Sequence, residues 1–198
     1  MKKLILFTFL SLQVCAFAQQ KKKADRFDTK IREAEGDLNG DGLADKVILS
    51  MDTIAADVPL RLQIFFAQAN RTLKLVTSTT QLIEPQYPNG GKYGGRQIPN
   101  FEIEKGKLII ISDTGHGQSL HTFKYQNGNF ELVHFFKVYW DGKNTTTETD
   151  FNLLTGMKTL KSKSLGSEKI NNQTKSKVLI RPLPKIQDLV AFENKPYY

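Results

Sequence analysis

Cysteine is nearly absent from this chain of 198 residues. The single cysteine, Cys15, lies within the first 20 residues. One cysteine cannot form an intrachain disulfide, and removal of the N-terminal segment would also remove the only thiol nucleophile. The sequence therefore excludes a disulfide framework, and any cross-link within the folded domain has to be of another kind.

Long hydrophobic runs are also missing. The apolar stretch Leu4–Leu12 is too short to span a bilayer, and no later stretch comes near the required length. Two lysines precede this stretch and Ala16-Phe17-Ala18 follows it, which is the arrangement of a secretory signal peptide. We therefore predict a signal peptide over residues 1–18, cleaved after Ala18, and a secreted or periplasmic protein without a transmembrane segment.

Lipid attachment at Cys15 is the alternative reading of the same leader. Lipoprotein signals carry a small residue just before the cysteine, whereas this chain has the branched Val14, preceded by the polar Gln13. The sequence therefore favours cleavage after Ala18 over a lipid anchor.

Acidic residues are fewer than basic ones, with 20 Asp and Glu against 28 Lys and Arg, a formal net charge of +8. The lysines are scattered, apart from Lys21-Lys22-Lys23 at the start of a basic segment over residues 19–35. No motif interleaves basic and aromatic residues, so we expect no nucleic-acid partner. Oligomeric state is left open by the sequence.

Helical periodicity over more than two turns is not found. Short runs that alternate or are rich in β-branched and aromatic residues recur instead, with turn residues at nearly every joint. They predict one all-β domain over residues 36–198, an antiparallel meander of sandwich, barrel or propeller-blade type. Residues 24–35 fit either a short helix or a strand. The expected strands are Lys46–Met51, Leu60–Phe66, Thr72–Thr77, Phe101–Glu104, Leu108–Ser112, Ser119–Tyr125, Phe130–Trp140, Thr145–Phe151 and Met157–Lys163.

The last third of the chain has weaker signals. Asn171–Thr174 is polar throughout and is expected to be a surface loop. Val178–Pro184 is expected to be extended, and its prolines place it at a sheet edge, where a missing N–H is tolerated.

A candidate metal loop lies at residues 37–45. Oxygen-bearing side chains occupy positions 1, 3, 5 and 9 of the loop, and Gly42 stands at position 6, where a loop that wraps a hard cation turns sharply. Three carboxylates, one amide oxygen and one backbone carbonyl suit Ca²⁺ better than Zn²⁺. The predicted ligands are Asp37, Asn39, Asp41, the carbonyl of Leu43, and Asp45.

This loop departs from an EF-hand and resembles another group of calcium loops. Position 12 is Ile48, where an EF-hand has a bidentate glutamate, and a strand-like run follows in place of a helix. The Asp-x-Asn-x-Asp-Gly-x-x-Asp pattern over about residues 36–50 resembles FG-GAP and VCBS-type β repeats, in which calcium staples a turn between strands. The mature chain as a whole resembles small secreted bacterial proteins of this type. The resemblance implies a β fold and a structural calcium ion, and it implies no particular activity.

The longest irregular stretch between strands is residues 84–100. Three prolines and four glycines exclude a regular element there. Long loops on a β scaffold are often functional, and tyrosines among glycines offer flat surfaces for a ligand. We expect this stretch to bind an envelope glycan or a protein partner, with positive charge favouring an anionic one. Its candidate ligand-binding residues are Tyr87, Lys92, Tyr93 and Arg96.

A competing site is the segment 113–121, which holds an acid, two histidines and a serine. A secreted hydrolase built on Asp113, His116 and Ser119 is the alternative function. The serine lacks the Gly-x-Ser-x-Gly elbow that exposes a nucleophile, so binding is favoured over catalysis. His121 and His134 are nearly symmetric about the Asn127-Gly128 turn and are expected to form a cross-strand pair.

Overall fold

The computed structural model describes residues 25–91, 93–113 and 115–191. The predicted signal peptide, its cleavage site and Cys15 lie outside these residues. Eleven strands and one 3₁₀ turn make up the described fold, and no α-helix is found among the described residues, so the all-β expectation is confirmed. No helix in this part of the chain has the length and apolar character needed to cross a bilayer.

The strands form two antiparallel sheets, and in each the spatial order follows the sequence order, as expected for a meander. The small sheet has four strands and the large sheet has seven, and neither closes into a barrel. The small sheet contains β1 (Thr29–Gly36), β2 (Asp45–Met51), β3 (Leu60–Ala67) and β4 (Leu73–Thr79). The large sheet contains β5 (Asn100–Glu104), β6 (Lys107–Asp113), β7 (Gly117–Gln126), β8 (Asn129–Trp140), β9 (Thr145–Asn152), β10 (Met157–Ser164) and β11 (Ile170–Lys177).

The question left open for residues 24–35 is answered by β1, which pairs antiparallel with β2 over its whole length. β1 also approaches the large sheet closely. A Cβ atom at Gly36 would lie 2.6 Å from Cγ2 of Ile103 in β5, so the contact between the two strands requires a glycine. β1 is thus an integral strand of the small sheet and touches the large one.

Alternating side chains build the common core between the sheets. In β3, every second residue is buried, which fits the period-two pattern of a strand with one face inward. Phe66 at the end of β3 meets two aromatic rings of the large sheet, Tyr125 at 4.8 Å edge-on and Phe130 at 6.0 Å between centroids. Buried residues of both sheets form one cluster.

Two expectations for the C-terminal part are wrong. Asn171–Thr174 is not a loop; it lies within β11, the edge strand of the large sheet. Its sequence carries no alternation because every residue of β11 is exposed, so neither face selects apolar side chains. The segment Val178–Pro184 is not part of a sheet edge either.

Residues 178–191 instead run across the core as an irregular strap. Leu183 is buried, and the strap ends in the 3₁₀ turn Ile186–Asp188, in which Ile186 is fully buried. The carbonyl of Pro184 accepts the N–H of Leu132 at 2.8 Å, and the N–H of Ala191 donates to the carbonyl of Gln81, also at 2.8 Å. The strap therefore ties β8 to the segment that follows β4.

Residues 84–99 are irregular wherever they are described, as expected, and they lead from β4 to Asn100, the first residue of β5. Because β4 ends the small sheet and β5 begins the large one, this stretch is the crossover between the two sheets. We refer to residues 84–100 as the crossover segment.

Candidate functional site

The loop 37–45 connects β1 to β2 and is held by a ladder of side chain to backbone hydrogen bonds. Asp37 accepts the N–H of Gly40 at Oδ1 (2.7 Å) and the N–H of Gly42 at Oδ2 (2.9 Å). These bonds, the one from Gly42 foremost, hold the pKa of the Asp37 carboxyl below its ordinary value. Gly42 has φ +82°, the left-handed conformation expected of the sixth loop position.

The next two polar side chains repeat the pattern. Oδ1 of Asn39 accepts the N–H of Asp41 at 2.9 Å, and Oδ1 of Asp41 accepts the N–H of Leu43 at 2.8 Å. Both are turns in which a side chain bonds the backbone two residues ahead. The predicted spacing therefore produces a folded loop in which alternate side chains are fixed by backbone amides.

Asp45 has a position that sequence reasoning did not reveal. Its side chain is fully buried at the start of β2 and bonds two backbone N–H groups, that of Leu38 at 2.9 Å and that of Ala67 at 2.9 Å. Leu38 itself is buried in the core. Asp45 thus links the loop to the end of β3, a contact 22 residues away in sequence that no local motif announces.

A hard cation such as Ca²⁺ requires several oxygen ligands that converge on one point, and the side chains of the loop 37–45 meet this requirement in part. Among the residues that the structure describes, no group of three or more His, Cys, Asp or Glu side chains is gathered closely enough to hold a metal. Nδ2 of Asn39 donates to Oδ2 of Asp41 at 2.9 Å, so these two candidate ligands bond each other. However, each carboxylate oxygen carries two lone pairs, and each hydrogen bond named above uses one of them. The loop therefore retains oxygen donors of the kind that Ca²⁺ prefers.

The crossover segment folds back on itself and is anchored on the connection between β2 and β3. The N–H groups of Gln86 and Tyr87 donate to the carbonyls of Val58 and Asp57, each at 3.0 Å. The N–H of Arg96 then donates to the carbonyl of Gln86 at 2.8 Å, which closes the segment. The first part of the segment is therefore held against the connection between β2 and β3, and Arg96 is held against that first part.

The candidate ligand-binding residues of this segment differ in their surroundings. The ring of Tyr87 packs on the backbone of Gly95, where an added Cβ would lie 2.7 Å from Cε1 of the ring. Tyr93 is 93% exposed. Arg96 forms an ion pair through Nε with a carboxylate oxygen of Glu84. Lys92 lies outside the described residues.

A cleft of about 320 Å³ opens beside the crossover segment. Glu84 and Arg96 line it from the segment, and Asp113 and Ser119 line it from the large sheet. The crossover segment and part of the 113–121 segment, which the sequence presents as competing sites, therefore face the same space. The other lining residues are Ile83, Gly94, Gly95, Gln97, Pro99, Ser112 and Gly115.

Two serines stand side by side in this cleft. Ser112 of β6 is the ladder partner of Ser119 of β7, so both side chains lie on the same face of the sheet. Ser119 is buried, and Oγ of Ser112 is buried without a hydrogen-bond partner among the described residues. The carboxylate of Asp113 accepts a hydrogen bond from Nε2 of Gln118 at 3.1 Å.

His116 does not line the cleft with its proposed triad partners. Its ring lies 6.0 Å from that of Tyr139 and 6.1 Å from that of Trp140, and its carbonyl accepts the N–H of Trp140. Within the described part of the chain, no hydrogen bond joins Asp113, His116 and Ser119. The described residues that line the cleft therefore include carboxylate, guanidinium and hydroxyl groups, but not the imidazole of His116.

The expected pair of His121 and His134 is wrong. A β-bulge at the 122–123 step shifts the register, so Phe135 lies opposite His121 and Thr122 lies opposite His134. The two imidazoles therefore point to opposite faces. His121 is buried at 4.9 Å from the ring of Phe135, whereas Nε2 of His134 bonds Oδ1 of Asp150 at 2.9 Å near the surface.

Burial is the main reason that the pKa of His121 is lowered to about 3, and the nearby charge of Lys137 acts in the same direction. The ring is thus neutral at physiological pH and belongs to the core.

Comparison of the chain with family models, with curated proteins and with solved structures found no match in any of the three. The site's own geometry is therefore the basis for assigning a function.

Proposed function

We propose that this protein is an exported, calcium-stabilised β module that binds a glycan in the cleft beside the crossover segment. The observation that carries this proposal is the cleft itself. Its volume of about 320 Å³ falls at the lower end of the range for small-ligand sites, and its walls present convergent polar groups from two parts of the chain. A protein partner would use a broader and flatter surface than this concave site.

The calcium part of the proposal rests on the loop 37–45. Asp37, Asn39, Asp41, the carbonyl of Leu43, and Asp45 would hold the ion, which would neutralise the carboxylates and cross-link the turn between β1 and β2. Asp45 would do so while keeping its bonds to Leu38 and Ala67, because each of its oxygens has a second lone pair. Such an ion would suit an exported domain that has no disulfide.

Binding is favoured over hydrolysis by the position of His116. Asp113 and Ser119 line the cleft, but the imidazole that would activate the serine packs beside Tyr139 and Trp140 instead. A serine nucleophile needs a base within hydrogen-bond reach. The hydrolase alternative therefore has two of its three residues in the site and lacks the base.

The experiment that tests glycan binding compares two tyrosines of the crossover segment. A panel of soluble oligosaccharides, both neutral and uronic-acid-containing, is titrated into the protein and binding is mapped by chemical-shift changes. We expect shifts around Arg96, Ser112 and Ser119. Tyr93→Ala is expected to reduce affinity at an unchanged melting temperature, because its ring is exposed. Tyr87→Ala is expected to lower the melting temperature, because its ring packs on Gly95.

The proposal would be wrong if bound oligosaccharides shifted residues away from the cleft. It would also be wrong if His116→Ala abolished binding while Tyr93→Ala and Arg96→Ala had no effect. That second outcome would favour the segment 113–121 as the site.

A further inference from the structure

The charges that line the cleft are already paired within the protein. Arg96 forms its ion pair with Glu84, whose side chain is only 22% exposed. Asp113 also belongs to the lining, but as the ladder partner of Gln118 it directs its carboxylate to the face of the sheet opposite Ser112 and Ser119. Among the described side chains, one acidic and one basic group therefore meet in the cleft, although the chain as a whole carries a net charge of +8.

This pairing bears on the expectation that Arg96 would engage an anionic ligand. To bind a carboxylate or sulfate, the guanidinium would have to leave Glu84, and a largely buried carboxylate would lose its counter-charge. Leaving a largely buried charge uncompensated is costly. Anionic sugars are therefore disfavoured in this site.

The side chains that line the cleft include both hydrogen-bond donors and hydrogen-bond acceptors. The hydroxyls of Ser112 and Ser119 and the amide of Gln97 each donate and accept, the carboxylate accepts, and the guanidinium donates. Oγ of Ser112 is buried at the cleft and has no partner among the described residues. Buried polar groups are nearly always hydrogen-bonded, so this hydroxyl is poised to bond a ligand.

A sugar hydroxyl also donates and accepts at the same time. A neutral sugar ring can therefore satisfy the carboxylate, the serine hydroxyls and the guanidinium together without bringing a charge into the site. A cationic ligand would be opposed by Arg96, just as an anionic one is opposed by Glu84.

We infer that the cleft binds one ring of a neutral, hydroxyl-rich carbohydrate, with the hydroxyls of Ser112 and Ser119 as its hydrogen-bonding floor. This inference rests on the proposed glycan-binding function and specifies its ligand class. Tyr93 is adjacent in sequence to the lining residue Gly94 and is 93% exposed, so its ring is available to stack on the next sugar of a chain.

The test compares neutral and anionic probes on the same set of variants. Oligomers of neutral hexoses, pentoses and N-acetylhexosamines and an oligogalacturonate are titrated by calorimetry and by chemical-shift mapping. We expect cleft binding by at least one neutral probe and none by the oligogalacturonate. Ser112→Ala should weaken binding of the neutral probe by about threefold to tenfold, the effect of one lost hydrogen bond.

Matched controls separate binding from folding. Ser176→Ala on the exposed strand β11 removes a hydroxyl far from the cleft in the ladder and should leave affinity unchanged. Ser112→Ala should keep the melting temperature, because it removes a buried hydroxyl that bonds no described residue. Thus a loss of affinity in this variant cannot be assigned to unfolding.

Glu84→Gln gives the sharpest distinction. The substitution removes the carboxylate that opposes an anion beside Arg96, so this variant should bind the oligogalacturonate more tightly than the wild-type protein does. Cleft binding of the oligogalacturonate by the wild type, in preference to every neutral probe, would overturn the inference and leave glycan binding standing. Absence of binding by either class would overturn both the inference and the proposed function.

Discussion

At the scale of single residues, the aspartates of the loop 37–45 have different roles although they belong to one motif. Asp37 and Asp41 fold the loop on itself through backbone amides close in sequence. Asp45 is buried and connects the loop to the end of β3. The motif spacing predicted a folded loop with Gly42 at its turn, but it could not reveal the bond to Ala67, which depends on how β2 and β3 pair.

Asp45→Ala should destabilise the protein even when no metal is present. The substitution would leave the N–H groups of Leu38 and Ala67 without their acceptor, and each unsatisfied amide costs about 1–3 kcal/mol. We expect the free energy of unfolding in EDTA to fall by about 2–5 kcal/mol. Urea titration followed by circular dichroism measures this change.

Asp41→Ala is the matched control for Asp45→Ala, because the Asp41 carboxylate bonds only groups of the exposed loop. Its effect in EDTA should be below about 1 kcal/mol, the cost of one exposed turn. Equal destabilisation by the two variants would contradict a separate structural role for Asp45.

His121 should make stability depend on pH. Its pKa is lowered to about 3 in the folded protein, mainly by burial, whereas an unfolded histidine titrates near its ordinary value of 6.5. Between these values the unfolded state binds one more proton, so stability falls as the pH drops from 6.5 toward 3, with a slope of about 1.4 kcal/mol per pH unit. Above pH 6.5 the contribution is fully present.

Unfolding free energies measured from pH 7 to pH 4 test this assignment. His121→Leu keeps an apolar contact with Phe135. It should lower the slope of the unfolding free energy against pH by about 1.4 kcal/mol per pH unit, the contribution of one bound proton. His134→Gln, at the surface beside Asp150, should leave most of the slope in place. The assignment to His121 would be refuted if the two variants changed the slope equally.

At the scale of elements, a buried face gives a strand its clearest sequence pattern. β3 alternates because its inner face packs in the core, and the expected Leu60–Phe66 differs from the observed strand by one residue. β11 was missed because no face of it is buried. The bulge in the hairpin of β7 and β8 was also missed, since turn chemistry at Asn127-Gly128 sets the register only near the turn.

Backbone amides of β11 should exchange faster than those of β8. β11 pairs with β10 alone and is exposed along its length, whereas β8 is bonded on both sides and carries buried residues. Local opening of such an edge strand costs little compared with global unfolding. Hydrogen exchange followed by mass spectrometry should show early labelling of the peptide covering Ile170–Lys177. Protection of this peptide equal to that of β8 would show that the edge is covered in solution.

The candidate cleft was only partly predictable. Glycine and proline content identified the crossover segment as irregular. The positive charge of Arg96 within it identified this residue as a candidate ligand-binding residue. The ion pair of Arg96 with Glu84 and the position of Ser112 and Ser119 opposite them depend on how three separate parts of the chain meet. No local sequence pattern encodes contacts between distant parts of the chain. The crossover segment and the segment 113–121 therefore look like two alternative sites in the sequence, although both contribute to the lining of one cleft.

At the scale of the whole molecule, the loop 37–45 and the cleft lie at opposite ends of β6. A Cβ atom at Gly106, just before β6, would lie 3.8 Å from the carbonyl oxygen of Asp37, whereas Ser112 and Asp113 at the other end line the cleft. Seven residues of strand span roughly 20 Å. The proposed ion would therefore act on the stability of the fold and would not touch a ligand in the cleft.

Calcium should accordingly raise the melting temperature without changing the affinity of the cleft. A ligand held only by the folded state contributes about 2.7 kcal/mol at a hundredfold excess over its dissociation constant, a shift of about 5–10 °C for a domain of this size. Without the bidentate glutamate of an EF-hand, we expect a dissociation constant of about 10⁻⁵–10⁻³ M, which fits extracellular calcium.

Asp37→Ala and Asp41→Ala should abolish the calcium-dependent shift in melting temperature. Mg²⁺, which demands a tighter octahedral site, should give a smaller shift. Differential scanning calorimetry in calcium and in EDTA measures the shift, and superimposed melting curves would show that no ion stabilises the fold. Oligosaccharide titrations below the melting temperature should give the same affinity in both buffers, because β6 is paired on both sides and separates the loop from the cleft by roughly 20 Å.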